Sequence, residues 1–439
     1  MKQILPTHSD PNSDPSGDPS GDPNCDRYDA DYRMFIDLLA QQGNDATWYT
    51  QAFNPYPIEL SSFERDEQSQ LHKVLFRAIN QIVTNYFSDE RIQAILSLSK
   101  DLLPVLQLAS EHPYQIGSFR PDFLHNQNGG IAICEINARF PTNAFFISHY
   151  INSIVDKLKY INPLCSPLSG LSQIPHHFLR GHGAGTKCSI IKGREKGWDV
   201  HFFKYELERA ELAVQWQDFC SLQVRDGKFY SEQELVDYLV LELHQDELMQ
   251  WSPSMLGALA ASREYLNDLR TIFLVHDKRF LAVLGNQEIM RDYLSAEDVL
   301  FLSAHVVPTY AIAVATSSDI IEESLASQQN WVLKPNLLGK GEGVIFGKNL
   351  DFKTWRRTID EYRESDYVLQ RYIPQAQYSL VNACSGVVAR HSFNVVGTLL
   401  CFDDVFFGPG IYRASAGDIV NVAGGGTVLF PVLTSKGEK

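Results

Sequence analysis

The spacing of apolar residues changes along the chain, and each change marks a predicted element. Between Glu64 and Tyr86, Leu71, Val74, Leu75, Ala78, Ile79, Ile82 and Val83 recur at helical intervals, which predicts an amphipathic helix. A second helix is predicted from Ile92 to Ala109, kinked or broken at Pro104, and a third from Phe145 to Leu158. Between them, residues 116–137 switch to strand character around the turn signal Asn128-Gly129-Gly130. From 188 to 275, CSIIKG and WDVHFFK read as strands, VRDGKFY as a short hairpin, SEQELVDYL as a helix and RTIFLVHD as a strand. That alternation predicts an α/β unit with a largely parallel sheet. A helix from Lys278, an extended VVPTY, a helix near 317–328, the strand WVLKP, a glycine-rich loop, VIFG, another helix and the strand YVLQRYI follow, and the C-terminal stretch is rich in strand formers and glycine.

Within GGIAICEIN, alternation puts Ile131, Ile133, Glu135 and Asn137 on one face, which turns polar as the strand ends. Arg120, Asp122 and Leu124 share a face of the preceding strand. A two-residue turn centred on Asn128 and Gly129 would set Asp122 opposite Glu135 and Arg120 opposite Asn137. Two carboxylates facing each other about 5 Å apart repel, and a divalent cation between them is the simplest remedy. Two carboxylates and an amide suit Mg²⁺, which keeps waters and completes its shell with substrate phosphates. The same pattern fits a surface salt bridge between Arg120 and one carboxylate.

WVLKPNLLGKGEGVIFG sets Lys334 at the end of an apolar strand and Gly339, Lys340, Gly341 and Gly343 in the loop beyond it. Small residues let backbone N–H groups approach phosphate oxygens, and lysines add point charges, so the loop reads as a nucleotide lid or as an ordinary glycine-rich hairpin. It is not a P-loop, because a strand follows it and G-x-x-x-x-G-K-[ST] is absent. In YVLQRYIP, Gln370 and Arg371 end an apolar strand, which fits an adenine-binding hinge or a core strand with two solvent-facing side chains. GHGAGT at 181–186 precedes a strand rather than following one, so it is rejected as a dinucleotide fingerprint. His176, His177 and His244 lack a metal-ligand partner set and are read as structural.

Composition narrows the class. Hydrophobic residues at 44% and charged residues at 21% place the chain among globular proteins, and 439 residues allow two or three domains. The formal charge of -15 disfavours a broad footprint on nucleic acid or anionic membrane. Seven cysteines show neither a disulfide framework nor paired C-x-x-C, and no apolar run is long enough to span a bilayer, so reduced thiols in a cytoplasmic protein are expected. DPNSDPSGDPSGDPNCD, residues 10–26, cannot bury apolar surface and is expected to be a flexible acidic tail.

Taken together, these motifs resemble those of the circularly permuted ATP-grasp enzymes, of which glutathionylspermidine synthetase is the best-known type. Arg120, Asp122, Glu135 and Asn137, followed by a Pro-Thr pair, resemble that family's metal and phosphate block, placed before the lysines as in the permuted branch. HDKRFLAVL resembles its lysine-bearing helix start, which nominates Lys278; WVLKP and GKGEGV nominate Lys334 and Lys340; Gln370, Arg371, Tyr372 and Ile373 match the adenine hinge. FFGPGIYRASAGDIVNVAGGG, with Gly410, Arg413 and Asn421, is similar to a block that closes over the phosphates. No amidase-like portion precedes these motifs, so a bifunctional synthetase-amidase is not expected.

The resemblance implies a mixed α/β (α+β) ATP-grasp-like fold with a Rossmann-like pre-ATP-grasp domain and a helical N-terminal part. The expected organisation is a disordered tail over 1–30, a helical region carrying the hairpin over 31–180, the α/β domain over 181–275, and a nucleotide-binding region over 276–439 that shares its site with the 116–143 hairpin. It further implies a ligase that joins a small-molecule carboxylate to an amine with ATP and Mg²⁺, Arg120 and Arg413 being catalytic. An ATP-dependent phosphotransferase on the same scaffold and a non-catalytic ATP-binding protein are the alternatives.

Overall fold

The computed structural model describes residues 1–6, 25–42, 52–218, 221–262, 264–313, 318–384, 387–422 and 425–434. Most of the Asp-Pro segment lies outside the described residues. On either side of it the chain has regular structure, a strand at Lys2–Gln3 and a helix at Cys25–Ala40, so the tail expected over 1–30 does not extend that far.

The helix predicted from its apolar stripe spans Ser62–Thr84. Ser61 and Glu64 form a capping box that starts it, each side chain satisfying a backbone N–H of the other residue, at 3.2 and 2.9 Å. All seven stripe residues are buried and pack beneath a seven-stranded sheet against Phe119, Phe123 and Leu399. The second predicted helix is two, Glu90–Ile95 and Leu103–Ala109, with Pro104 in the first turn of the later one, where a missing N–H costs nothing. The third covers Phe145–Ile154 and ends in a short 3₁₀ turn.

The seven-stranded sheet is built around the long strand Val387–Phe402. Ser118–His125 pairs with one edge of it and Tyr412–Ser415 with the other, and Ile131–Asn137 extends the sheet beyond Ser118–His125. The hairpin predicted near the N-terminal end therefore joins strands from the C-terminal end. A second, four-stranded antiparallel sheet runs in the order Thr309–Ala311, Tyr367–Arg371, Trp331–Pro335, Ile345–Phe346. It has its own small core, with Trp331, Trp355 and Ile359 at its centre. The two sheets are joined where the Val307 N–H donates to Ile133 O at 3.0 Å, and the candidate site lies at that junction.

Between residues 181 and 275 a three-stranded parallel sheet forms as expected, in the order Tyr238–Glu242, Lys187–Lys192, Ala213–Gln217, and the VRDGKFY hairpin is present. Three expectations here are corrected. WDVHFFK belongs to the helix Asp199–Arg209, SEQELVDYL is extended with its end in the edge strand Tyr238–Glu242, and Thr271–Val275 is a π-helix. Short apolar runs do not distinguish a buried strand from a buried helix, and in each case tertiary packing decided.

Asn267, with φ +59, holds the open end of the hairpin. Its side-chain oxygen accepts from Ser118 N at 2.8 Å, and its amide donates to Ser118 O at 2.9 Å and Ala138 O at 3.0 Å, tying both strands together. Asn267→Ala leaves these buried groups without partners and is expected to lose about 3 kcal/mol; a urea midpoint within experimental error of the parent would show that the hairpin holds without it.

Candidate active site

The hairpin brings its polar residues into register by two compensating irregularities. Its loop is not the expected two-residue turn: Gly129 N donates to Asn126 O at 2.9 Å and Asn126 N to Gly130 O at 3.1 Å, so three residues form the loop, with Gly129 at φ +97. A bulge at Cys134 then takes up the offset, and the pairs Asp122–Glu135 and Arg120–Asn137 form as expected. The bulge also corrects the expected faces. Ile131 and Ile133 turn into the main core with Ile136, while Cys134 and Glu135 together face the site.

A row of charged side chains crosses the sheet at this level. Thr398 of the long strand pairs with Asp122, and Arg413, from the strand on the other side, reaches over to the same carboxylate. Asp122 is fully buried and clamped by Arg120 in a bidentate pair, Nε to Oδ1 at 2.8 Å and Nη2 to Oδ2 at 3.0 Å, while Arg413 Nη2 donates to Oδ2. Glu135 lies 3.5 Å from Lys278 Nζ and accepts from Asn137 Nδ2 at 3.2 Å. Burial opposes its charge, but Lys278, Lys334 and Arg413 outweigh that and hold the carboxyl well below the usual carboxylate range. The mutual repulsion read from the sequence is thus relieved by arginines and lysines of the chain itself, and the pair does not need a metal ion in order to fold.

Two cavities meet at this row. The first, about 820 Å³, lies between the two sheets and is lined by Asp122, Glu135, Lys278, Lys334, Lys340 and Arg413. Lys334 Nζ donates to Gln370 Oε1 at 2.6 Å, and Lys278 Nζ donates to Leu338 O in the glycine-rich loop. Gly341 and Lys340, both with positive φ, line the first cavity; Gly339 lines the second, and Gly343 packs against Pro335 and Tyr367 and is not among the lining residues of either. The C-terminal segment closes over this loop: Asn421 Nδ2 donates to Lys340 O at 2.9 Å, and a Cβ on Gly341 would collide with Ile419. Arg371, Tyr372 and Ile373 flank the cavity at its hinge. The Gln370 side chain is not available to an adenine edge as expected, because it is buried and also donates to Cys134 O and Thr309 Oγ1.

The second cavity, about 1280 Å³, opens on the far side of Glu135 and Arg413, beside Arg120 and Asn137. Residues that the sequence reading passed over line it. Arg139 lies two positions beyond Asn137. Asp199 accepts from Ile147 N at 2.9 Å at the start of the helix Phe145–Ile154, and burial pushes its carboxyl up to about 6. Glu242, which accepts from Thr142 Oγ1 at 2.6 Å, is pushed by burial up to about 8. Glu195 pairs with Lys340 at 3.1 Å.

Where the cavities meet, two carboxylates face two arginines and two lysines, a surplus of positive charge. A nucleoside triphosphate with one divalent ion carries a net charge of the same size and opposite sign. Among the described residues no group of three or more His, Cys, Asp and Glu is arranged to hold a metal. Asp122 is committed to its guanidinium pairs, so the protein donors for an ion are Glu135 and the Asn137 amide oxygen. These hard oxygens fit Mg²⁺ that draws the rest of its shell from water and phosphate. Among the described residues, Cys134, Cys165, Cys188, Cys384 and Cys401 are free thiols, and no helix is long and apolar enough to cross a membrane.

Comparison with known proteins bears on the fold. Residues 71–274 match the family model described as the AnkG N-terminal domain. The chain is 22% identical to the protein named ATP-grasp enzyme ankG of Aspergillus thermomutatus, covering 89% of this chain and 90% of that one. A glutathione synthetase-like effector of Globodera pallida, solved in its apo form, superposes with a TM-score of 0.61 over 94% of this chain and 98% of its own, at 11% identity. The chain has a mixed α/β fold like that of this glutathione synthetase-like effector.

Proposed function

We propose that the chain is an ATP-dependent carboxylate–amine ligase. It transfers the γ-phosphoryl group of ATP to a substrate carboxylate, and an amine then displaces phosphate to leave an amide, ADP and phosphate. The observation that carries this reading is the cation-rich row at the seam of two adjoining cavities. Similarity to a protein named as an ATP-grasp enzyme supports the nucleotide, and the order of the motifs, carboxylates before lysines, is that of the permuted branch.

In this reading Lys278 and Lys334 hold phosphate oxygens, the glycine-rich loop with Lys340 covers them, and residues 371–373 flank the base. Glu135 and Asn137 would hold Mg²⁺, with Asp122 fixing the arginines behind them, and the ion would supply positive charge against the phosphates. Arg120 and Arg413 face the acyl phosphate and the oxyanion formed when the amine adds. Arg413 Nε is buried with no hydrogen-bond partner among the described residues, so a donor stands ready there. Positioning and charge neutralisation carry such chemistry, and no protein nucleophile is needed.

The direct test is release of ADP and free phosphate with pooled amino acids, small peptides and polyamines, followed by mass spectrometry of the active pool. Phosphate retained on the product would identify a phosphotransferase, and ATP binding without consumption a non-catalytic protein. Glu135→Gln is expected to keep the fold and lose about 100-fold or more in turnover at saturating ATP and Mg²⁺; near-normal turnover removes the metal assignment. Asp122→Asn, which leaves two buried guanidiniums short of a counter-charge, is expected to cost about 3 kcal/mol as well as activity, and an unchanged denaturation midpoint would contradict the clamp.

Glu242 gives a pH signature. Its folded pKa, about 8, lies above the value of about 4.3 in an unfolded chain. The folded state therefore binds its proton more tightly, and the stability this confers is complete below the unfolded value and lost as pH rises through about 8. Glu242→Gln is expected to gain stability relative to the parent as pH climbs from about 5 to 9; a difference that stays flat across that range in urea melts would mean the carboxyl is already charged.

A further inference from the structure

Arg139 is a buried arginine that forms no ion pair among the described residues. It is 8% exposed, yet among the described residues no carboxylate lies within ion-pair distance of it. Its guanidinium lies over the Phe140 ring at 4.4 Å, and Nη1 donates to Gln245 Oε1 at 3.1 Å and Leu337 O at 3.3 Å. Those contacts fix the head group. They leave the other edge unused: Nε is buried with no partner, and no hydrogen bond from Nη2 is present among the described residues. An arginine edge formed by Nε and Nη2 matches a carboxylate bidentately. The acids around it are engaged elsewhere: Glu195 pairs with Lys340, Asp246 pairs with Arg194, and Glu242 is hydrogen-bonded to Thr142, with burial favouring its neutral form. A buried cation without a directly paired counter-charge is costly, and a chain that keeps one in a cavity wall has a use for it.

We infer that Arg139 anchors a second, non-reacting carboxylate, so that the larger cavity takes a di- or tricarboxylic acid. This rests on the ligase reading, in which the reacting carboxylate lies at Glu135, Asn137, Arg120 and Arg413. Arg139 follows Asn137 by two residues, just past the end of the strand, and both line the same cavity with Arg120 and Arg413, so one polyacid can meet the seam and the wall together. One end of the acid is then phosphorylated at the seam while the other is held in the wall, and a monocarboxylic acid of equal length has no partner for Arg139.

Hydroxylamine, supplied in place of the unknown amine, tests this. It displaces phosphate from an acyl phosphate to give a hydroxamate and free phosphate, and the hydroxamate is read colorimetrically. With the full chain, ATP and Mg²⁺, succinate, glutarate, adipate and citrate are compared with butyrate. Hydroxamate is expected from at least one polyacid with kcat/KM about 100-fold above butyrate. Arg139→Met is expected to raise KM for that acid about 100-fold with kcat within a few-fold, and Arg139→Lys to recover part of the loss. Without ligand, Arg139→Met is expected to melt no lower than the parent, since it removes a buried charge that has no ion pair, and the polyacid no longer raises its melting temperature. Butyrate used as well as the polyacids, an unchanged KM in Arg139→Met, or a large fall in its ligand-free melting temperature would overturn the inference and leave the ligase reading standing. No hydroxamate from any acid, with ATP still bound, would remove both.

Discussion

The site depends on one buried ionic arrangement: Asp122 clamped by Arg120 and Arg413, beside Glu135 facing Lys278. Each of these charges alone is costly to bury, and only their mutual contacts make the row tolerable. The arrangement also links segments far apart in the chain, since Asp122 and Glu135 come from the hairpin, Arg413 from the C-terminal strand and Lys278 from the segment before the four-stranded sheet. Folding and assembly of the site are therefore a single event. The long strand Val387–Phe402 is the spacer that makes this possible, because it holds Asp122 opposite Thr398 on one side and Arg413 opposite Val396 on the other.

The same row explains why two cavities meet where they do. Glu135 and Arg413 line both, so a group in either cavity senses the same charges. The glycine-rich loop and the 418–421 segment touch one another above the first cavity, where Gly341 leaves room that a side chain would fill. The cover is thus loop, while Arg120, Asp122, Glu135, Lys334 and Arg413 sit on strands.

Much of this was legible in the sequence because polar residues interrupted apolar strands at their ends. Glu135, Asn137 and Lys334 are such interruptions, and the structure brings them to one place together with Lys278, Lys340, Arg413 and residues 371–373. The facing pair Asp122–Glu135 was also legible, although the turn and the bulge that produce it cancel one another and neither was foreseen. Glu242 carried the same signal at the end of YLVLE, but it was lost when SEQELVDYL was read as a helix. Arg139 follows the polar positions Glu135 and Asn137, and only its burial in the cavity wall distinguishes it from a surface residue. The role of Gln370 was misjudged for the opposite reason: its position at the strand end suggested a free side chain, whereas two neighbouring groups and Lys334 consume its hydrogen bonds. Periodicity reports which face a residue lies on, not which partners that face will meet.

A structure of the full chain with a non-hydrolysable ATP analogue and Mg²⁺ tests the central claim most directly. The account predicts the triphosphate in the first cavity against Lys278 and Lys334, with the ion on Glu135 and Asn137. A nucleotide bound away from this row, or an ion that leaves Glu135 paired only with Lys278, would contradict it.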